Sequence, residues 1–326
     1  MQDDILVVTL DQPDSKVNKL TEELISEVKS LLENTNPDDI DGIVLVSGKK
    51  NNFIAGADVE LLKNKKAPEE IEDLSQRGNR LLLQLENYSK PVVAAIHGSC
   101  LGGGLEVAMA CNYRVASTHS DTVMGQPEVQ LGLLPGGGGT QRLPRLIGIQ
   151  NALTYMLTGK NIYPRKAYKL GLVDELTHRD AVLTAAKKAI GKINSGTFER
   201  EDKRSHIHQL MEGMSPLRKI IYSQARKRAK SESKGNYPAP DKIIDCVQEG
   251  YENGMQAGLQ LESENFGKLA ATQVSEDRVS FVSAEDGTNK SPDVNMAADS
   301  PISGARTAYV MGSRSVTSMY NTANSV

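Results

Sequence analysis

Ile96-His97-Gly98-Ser99-Cys100-Leu101-Gly102-Gly103-Gly104-Leu105-Glu106-Val107-Ala108-Met109-Ala110-Cys111 is the stretch on which the reading of this chain turns. The apolar run Val92 to Ile96 leads into it and reads as a buried strand; beyond the three glycines, Leu105 to Cys111 is small, apolar and reads as a buried helix. Glycines at such a junction let the backbone approach a ligand closely, and the helix beginning there presents unpaired N–H groups and the positive end of its dipole. A turn of this kind can hold an oxyanion. Taken alone, the stretch equally allows glycines that serve only tight packing and a Glu106 that reaches solvent. Against that stands the cost of a carboxylate inside an apolar helix that nothing uses.

Working outward, the pattern is α/β. Ile5 to Leu10 reads as a strand, Leu24, Ile25, Val28, Leu31 and Leu32 recur at helical spacing, and Ile43 to Val46 is a second strand. Asp58 is placed as the N-cap of a short helix, and Pro68 opens a longer one through Leu85. Arg114 to Ala116 is a further strand. From Thr140 the pattern turns helical, with helices at Ala152 to Leu157, Pro164 to Leu170 and Ala181 to Ile193, and no strand is expected beyond Val173. A polar segment, Ser195 to Lys203, precedes two or three more helices between Leu217 and Leu269. We therefore divide the chain into 1–194, a helical linker region 195–270, and a tail 271–326. The tail has ten serines and no leucine, too little apolar density for a packed core, and is expected to be disordered.

The net charge of −3 over 326 residues argues against a general polyanion binder, and the basic stretch Arg218 to Lys234 reads as a solvated helix face, not a nucleic-acid site. Three cysteines, Cys100, Cys111 and Cys246, fit neither a disulfide framework nor a metal site, which makes a reducing, cytoplasmic setting the default. No apolar run reaches the ~20 residues that span a bilayer. Neither glycine cluster is followed by Lys-Ser or Lys-Thr, and no G-x-G-x-x-G occurs, which disfavours nucleotide binding. His97 and Cys100 read as core residues, not as a nucleophilic pair, and His206 and His208 are too close to share a helix face.

Two more segments bear on chemistry. In Met124-Gly125-Gln126-Pro127-Glu128-Val129-Gln130-Leu131-Gly132-Leu133-Leu134-Pro135, followed by Gly136 to Gly139, Glu128 is again a lone acid among apolar neighbours. Two poorly solvated carboxyls are what proton transfer needs, because burial lifts a carboxyl pKa towards working pH. Phe53-Ile54-Ala55-Gly56-Ala57-Asp58 puts small residues before a helix cap, where exposed amides can complete an oxyanion hole or simply form a capped loop.

Together these segments resemble the crotonase (enoyl-CoA hydratase/isomerase) family from about Ile5 to Asp174: Ala55-Gly56-Ala57-Asp58, Gly102 to Glu106, Gly125-Gln126-Pro127-Glu128, Leu133 to Gly139 with Thr140-Gln141-Arg142, and Leu157-Thr158-Gly159-Lys160, in the family's order. The resemblance implies a ββα superhelix in which stacked turns build two sheets surrounded by helices. It implies syn addition of water to a 2-enoyl-CoA and isomerisation of enoyl-CoA in fatty-acid β-oxidation. The amides of Ala55 and Gly103 would hold the thioester oxygen, Glu106 and Glu128 would be catalytic with Glu128 giving the α-carbon its proton, and Gly56, Ala57, Asp58 and Gly102 would line the acyl-CoA path. No cofactor is implied, coenzyme A thioester being substrate.

Lys234-Gly235-Asn236-Tyr237-Pro238-Ala239-Pro240 looks like the linker of the bacterial multifunctional fatty-acid oxidation alpha subunits, which join this module to an NAD-dependent 3-hydroxyacyl-CoA dehydrogenase. Nothing in Ser275 to Val326 resembles that NAD site, so a truncation with a shifted reading frame is the expectation. The family implies either a homo-oligomer or pairing with a thiolase beta subunit. A rival of another class is a non-catalytic acyl-CoA-binding or subunit-contact remnant.

Overall fold

The computed structural model describes residues 4–58, 67–233, 238–272, 275 and 308–311. Strand β1 (Ile5–Leu10) is followed by α1 (Glu22–Asn34), whose N-terminus is capped by the Thr21 hydroxyl accepting from the Leu24 amide at 3.2 Å. Three strand pairs come next: β2 (Gly42–Ser47) with β3 (Asn52–Ile54), β4 (Val92–Ile96) with β5 (Ser99–Leu101), and β6 (Tyr113–Ser117) with β7 (Val123–Gly125). Within each pair the chain crosses from one sheet to another in a few residues. With two edge strands, β8 (Glu175–Thr177) and β9 (Ala308–Met311), the first member of each pair joins a six-stranded parallel sheet, ordered β8-β6-β4-β2-β1-β9, and the second joins a three-stranded parallel sheet, β3-β5-β7. Helices α2 (Pro68–Glu86) and α3 (Gly103–Ala110) return the chain from β3 to β4 and from β5 to β6. This is the ββα superhelix that the family resemblance implies; strand-and-helix alternation alone does not specify it.

Both faces of the large sheet are covered, which is why its strands read as unbroken apolar runs. Ile5, Val7, Val44, Val93, Ala95 and Val115 face the helix α7 (Val182–Asn194). The alternate residues Leu6, Val8, Leu10, Ile43, Leu45, Ala94 and Ile96 face the core that carries the cavities described below, as the two-residue strand period requires. Arg114 on β6 is fully buried: its Nε donates to Leu172 O and its Nη1 to Cys111 O, both at 2.7 Å, and its Nη2 lies 3.1 Å from Asp174.

Downstream lie α4 (Gly139–Ile147), α5 (Ile149–Thr158) and α6 (Pro164–Leu170), then α8 (His206–Gly213), α9 (Ser215–Ser233), α10 (Ala239–Glu252) and α11 (Met255–Ala270). Helix α11 packs on α2 and α10, and α10 on α4 and α5, burying Ile243, Ile244, Val247 and Leu269. By contrast Ile207, Leu210, Met214 and Ile220 on α8 and α9 are 46–70% exposed.

Three expectations need revision. A strand does follow Val173: β8 (Glu175–Thr177) pairs with β6 at one edge of the large sheet. A second strand beyond Val173 is Ala308–Met311, β9, parallel to β1 at the other edge. Helix α8 was not anticipated. The basic stretch is not purely solvated, because Arg218 pairs with Glu252 at 2.9 Å and Arg226 with Asp245 at 2.7 Å. The short helix expected after Asp58 and most of the tail lie outside the described residues.

Candidate active site

The turn from β5 to α3 sets the site. Gly102 has φ 51°, a conformation L side chains rarely adopt, and a Cβ there would stand 2.9 Å from Glu128 Oε1. At Gly104 a Cβ would stand 2.4 Å from the carbonyl oxygen of Ile54, so the helix start is pressed against the end of β3. The Gly102 amide is spent on Gly125 O at 2.9 Å, while Gly103 opens the helix with a first-turn amide that needs an outside acceptor.

The other half of the oxyanion site requires a correction. The Ala55 amide donates to Asn18 O at 2.8 Å and is committed to the backbone. Two residues on, Leu20 and Ala57 form a parallel bridge in which Leu20 N donates to Gly56 O at 2.9 Å and Asp58 N donates to Leu20 O at 3.0 Å. The middle residue of such a bridge keeps its own N–H out of it, turned away from the bridging strand. The nitrogen of Ala57 is 3.6 Å from the position a Cβ of Gly103 would take. Ala57 and Gly103, not Ala55 and Gly103, are thus the adjacent uncommitted amides.

Glu106, in the first turn of α3, is buried, and its Oε1 accepts from the amides of Gly137 and Gly139, each at 2.8 Å. Burial raises its pKa, and those two amides and the Arg142 guanidinium pull it back down. Glu128 opens a 3-10 turn, Glu128–Leu131, behind Pro127. Its carboxyl lies well above the usual range, first because it is desolvated and then because of the negative charge of Glu106. Buried Gln126, with its amide nitrogen turned towards it, donates to both Glu128 oxygens at 2.9 and 3.1 Å. Both acids accept hydrogen bonds, and they differ in the charge beside them: the Arg142 guanidinium offsets the rise at Glu106, whereas the negative charge of Glu106 adds to the rise at Glu128.

Both acids line one cavity of about 330 Å³, together with Gly56, Ala57, Asp58, Gly102 and Gly103. Ala55 also lines it. Asp58 stands 3.9 Å from Lys19 Nζ at the polar side. A smaller cavity of about 90 Å³, walled by Leu24, Val28, Leu45, Leu81 and Leu85, adjoins at Gly103 and Glu106. Among the described residues no group of three His, Cys, Asp or Glu could hold a metal, and no helix is long and apolar enough to cross a membrane. Cys100 is buried with its thiol pushed up by desolvation, and His97 Nε2 bonds Lys49 O at 2.8 Å, so neither forms a nucleophilic pair.

Sequence reasoning missed Asn18, which decides which amide is free, and Glu262 on α11, a fully buried carboxylate bonded to the Gly138 and Thr140 amides. Asn18 carries no local signal. Glu262 lies between Glu252 and Glu264 in an ordinary amphipathic run.

A family model described as enoyl-CoA hydratase/isomerase matches residues 1–234. Over 276 residues the chain is 47% identical to the fatty acid oxidation complex subunit alpha of Shewanella baltica, covering 84% of this chain and 39% of that protein. The chain thus spans well under half the length of the curated relatives it matches. Among solved structures, an enoyl-CoA hydratase from Thermoplasma volcanium aligns with TM-score 0.51 at 25% identity, covering 84% of this chain and 92% of that one. A carnitinyl-CoA dehydratase from Mycobacterium thermoresistibile aligns with TM-score 0.62 at 21% identity, covering 81% and 83%, a likeness of fold. With the superhelix, the glycine turn and the family model in agreement, this chain belongs to the enoyl-CoA hydratase/isomerase family.

Proposed function

We propose that the cavity hydrates 2-enoyl-CoA, with Glu106 as base, Glu128 as acid, and the amides of Ala57 and Gly103 as the oxyanion hole. The observation that carries this reading is that two carboxyls with opposed environments share a cavity with two adjacent free amides. Pairs whose surroundings push their pKa values apart are the pattern of an acid and a base at one site. Water held by Glu106 attacks the β-carbon and gives up a proton to that carboxylate. The double-bond electrons move towards the thioester, whose oxygen takes the enolate charge against the two amides, and the α-carbon then takes the proton of Glu128. One water is added in total, and solvent resets the two carboxyls. For isomerisation, Glu128 starts in its ionised form, removes a proton at one carbon and returns it at another, ending ionised again.

The adjoining apolar cavity suits an acyl tail, and placing the reaction in fatty-acid β-oxidation follows the alpha-subunit relatives. That context also carries the proposals of a cytoplasmic setting and of a thiolase beta subunit or a second copy as partner.

The test is loss of the enoyl thioester absorbance of crotonyl-CoA with purified full chain, with and without NAD. Turnover without NADH formation supports a hydratase acting without a dehydrogenase. Absence of turnover by folded protein supports the non-catalytic remnant.

A further inference from the structure

The Gly136–Thr140 loop is gripped by two carboxylates from opposite sides. Its amides alternate: Gly137 and Gly139 donate to Glu106 Oε1, whereas Gly138 donates to Glu262 Oε1 at 2.6 Å and Thr140 to Glu262 Oε2 at 3.0 Å. The Thr140 hydroxyl adds a bond of 2.5 Å to Glu262 Oε2, and Asn79 Nδ2 one of 3.3 Å to Oε1. Ser75 and Ser263 brace the same loop, the Ser75 hydroxyl donating to Gly136 O at 2.6 Å and to Ser263 Oγ at 2.9 Å.

We infer that Glu262 is a positioning residue for Glu106: by fixing the amides of Gly138 and Thr140, it holds the intervening amides of Gly137 and Gly139 on the catalytic carboxylate. Four successive amides cannot be turned to alternate sides by a neutral side chain with one acceptor. A carboxylate bridges the second and fourth with its two oxygens and leaves the first and third for Glu106. Glu262 lies beyond residue 234, where the matched family region ends, so α11 becomes a working part of the site. This inference rests on the hydratase reading above.

Glu262 also bears on the charge balance. Around it stand Glu106 from α3, Glu128, the Cys246 thiol from α10, and Arg142 of α4, which bonds Gly137 O at 3.1 Å and pairs with Glu86 of α2 at 3.0 Å. Burial and the charge of Glu106 push the Glu262 carboxyl up, and its bonds from the Thr140 hydroxyl, the Gly138 amide and Asn79 pull it back towards the charged form. Its charge in turn raises Glu128.

The experiment compares hydration of crotonyl-CoA by full-length wild type, Glu262→Gln, Glu262→Asp and Thr140→Val across mildly acidic to mildly alkaline pH, normalised to folded protein by circular dichroism. Glu262→Gln keeps shape but turns an NH2 towards donors. A fall in kcat of about 100-fold is expected, as for a small misplacement of a reacting group, with KM for the thioester little changed. Both limbs of the pH profile should move to lower pH, because removing a neighbouring negative charge lowers the pKa of Glu106 and of Glu128. Glu262→Asp keeps the charge and should keep the limbs in place. Thr140→Val, which removes one charge-assisted bond, should lower kcat about tenfold and decides the matter if Glu262→Gln fails to fold.

Unchanged kcat and unmoved limbs in folded Glu262→Gln, or unchanged kcat in Thr140→Val, would overturn the inference while leaving the hydratase reading intact. If wild type itself does not turn over, the hydratase reading fails. Carboxyl NMR titration then still decides: Glu106 and Glu128 titrating at lower pH in Glu262→Gln upholds the coupling, and identical titration removes it.

Discussion

Glu106 and Glu262 hold the same loop, but one comes from the strand-rich superhelix and the other from the C-terminal helices, and they differ in how they can be found. Glu106 sits in Gly103 to Ala110, a helix of small apolar residues in which a carboxylate is conspicuous. Glu262 sits in α11 with Glu264 and Lys268, where one more acid looks like solvated surface until packing shows that residue to be wholly buried. Isolation in an apolar context makes Glu106 visible in the sequence; Glu262, which bonds the backbone of a distant loop, has no such context. The C-terminal helices are themselves divided, since α10 and α11 close over the core while α8 and α9 present Ile207, Leu210, Met214 and Ile220 to solvent.

The largest effects should fall on the superhelix side. Glu128→Gln removes the proton donor and should cost about 10⁴-fold in both hydration and isomerisation, the upper end for general acid–base catalysis. Glu106→Gln should cost hydration about 10³-fold and spare most isomerisation, because only hydration needs an activated water. Assays of both reactions on each variant check this, and equal retention of both activities by either variant would contradict the assignment. Ala57→Pro, which deletes one oxyanion donor, should lower kcat by about 100- to 1000-fold. A kcat near wild type in folded Ala57→Pro would return the role to another amide.

Stability should separate from chemistry at β6. Arg114→Met leaves Asp174 paired with Arg200 at 2.9 Å but takes the donors from the carbonyls of Leu172 and Cys111, and should cost about 1–3 kcal/mol in a denaturant melt, with kcat per folded molecule unchanged. The smallest effect is expected at the exposed helices: Ile207→Ser should leave kcat alone and shift stability by less than about 0.5 kcal/mol. A large loss there would mean that α8 is part of the core.

The fold was legible where apolar runs are long and buried on both faces, as from Val92 to Ile96, and illegible at the sheet edges. Strand β8 has three half-exposed residues, Glu175, Leu176 and Thr177, with no apolar run to mark them, and β9 lies in a serine-rich tail. The superhelical topology came through the family motifs, since parallel pairing between β2, β4 and β6 leaves no local trace. At the site, Glu106, Glu128 and the Gly103 turn stand out in the sequence, and the structure brings the three to one cavity. That the Ala55 amide is hydrogen-bonded is not readable there, because the acceptor, the carbonyl of Asn18, comes from far away in the chain.

The central claim is that Glu106 works ionised and Glu128 protonated, and the pH dependence of kcat/KM for crotonyl-CoA hydration by the full chain tests it most directly. Activity should fall on the acid side as Glu106 takes up a proton and on the alkaline side as Glu128, its pKa raised by burial and by Glu106, loses one. A bell-shaped profile whose acid limb disappears in Glu106→Gln and whose alkaline limb disappears in Glu128→Gln is the predicted result. A profile lacking either limb in wild type, or limbs untouched by those substitutions, would contradict the account.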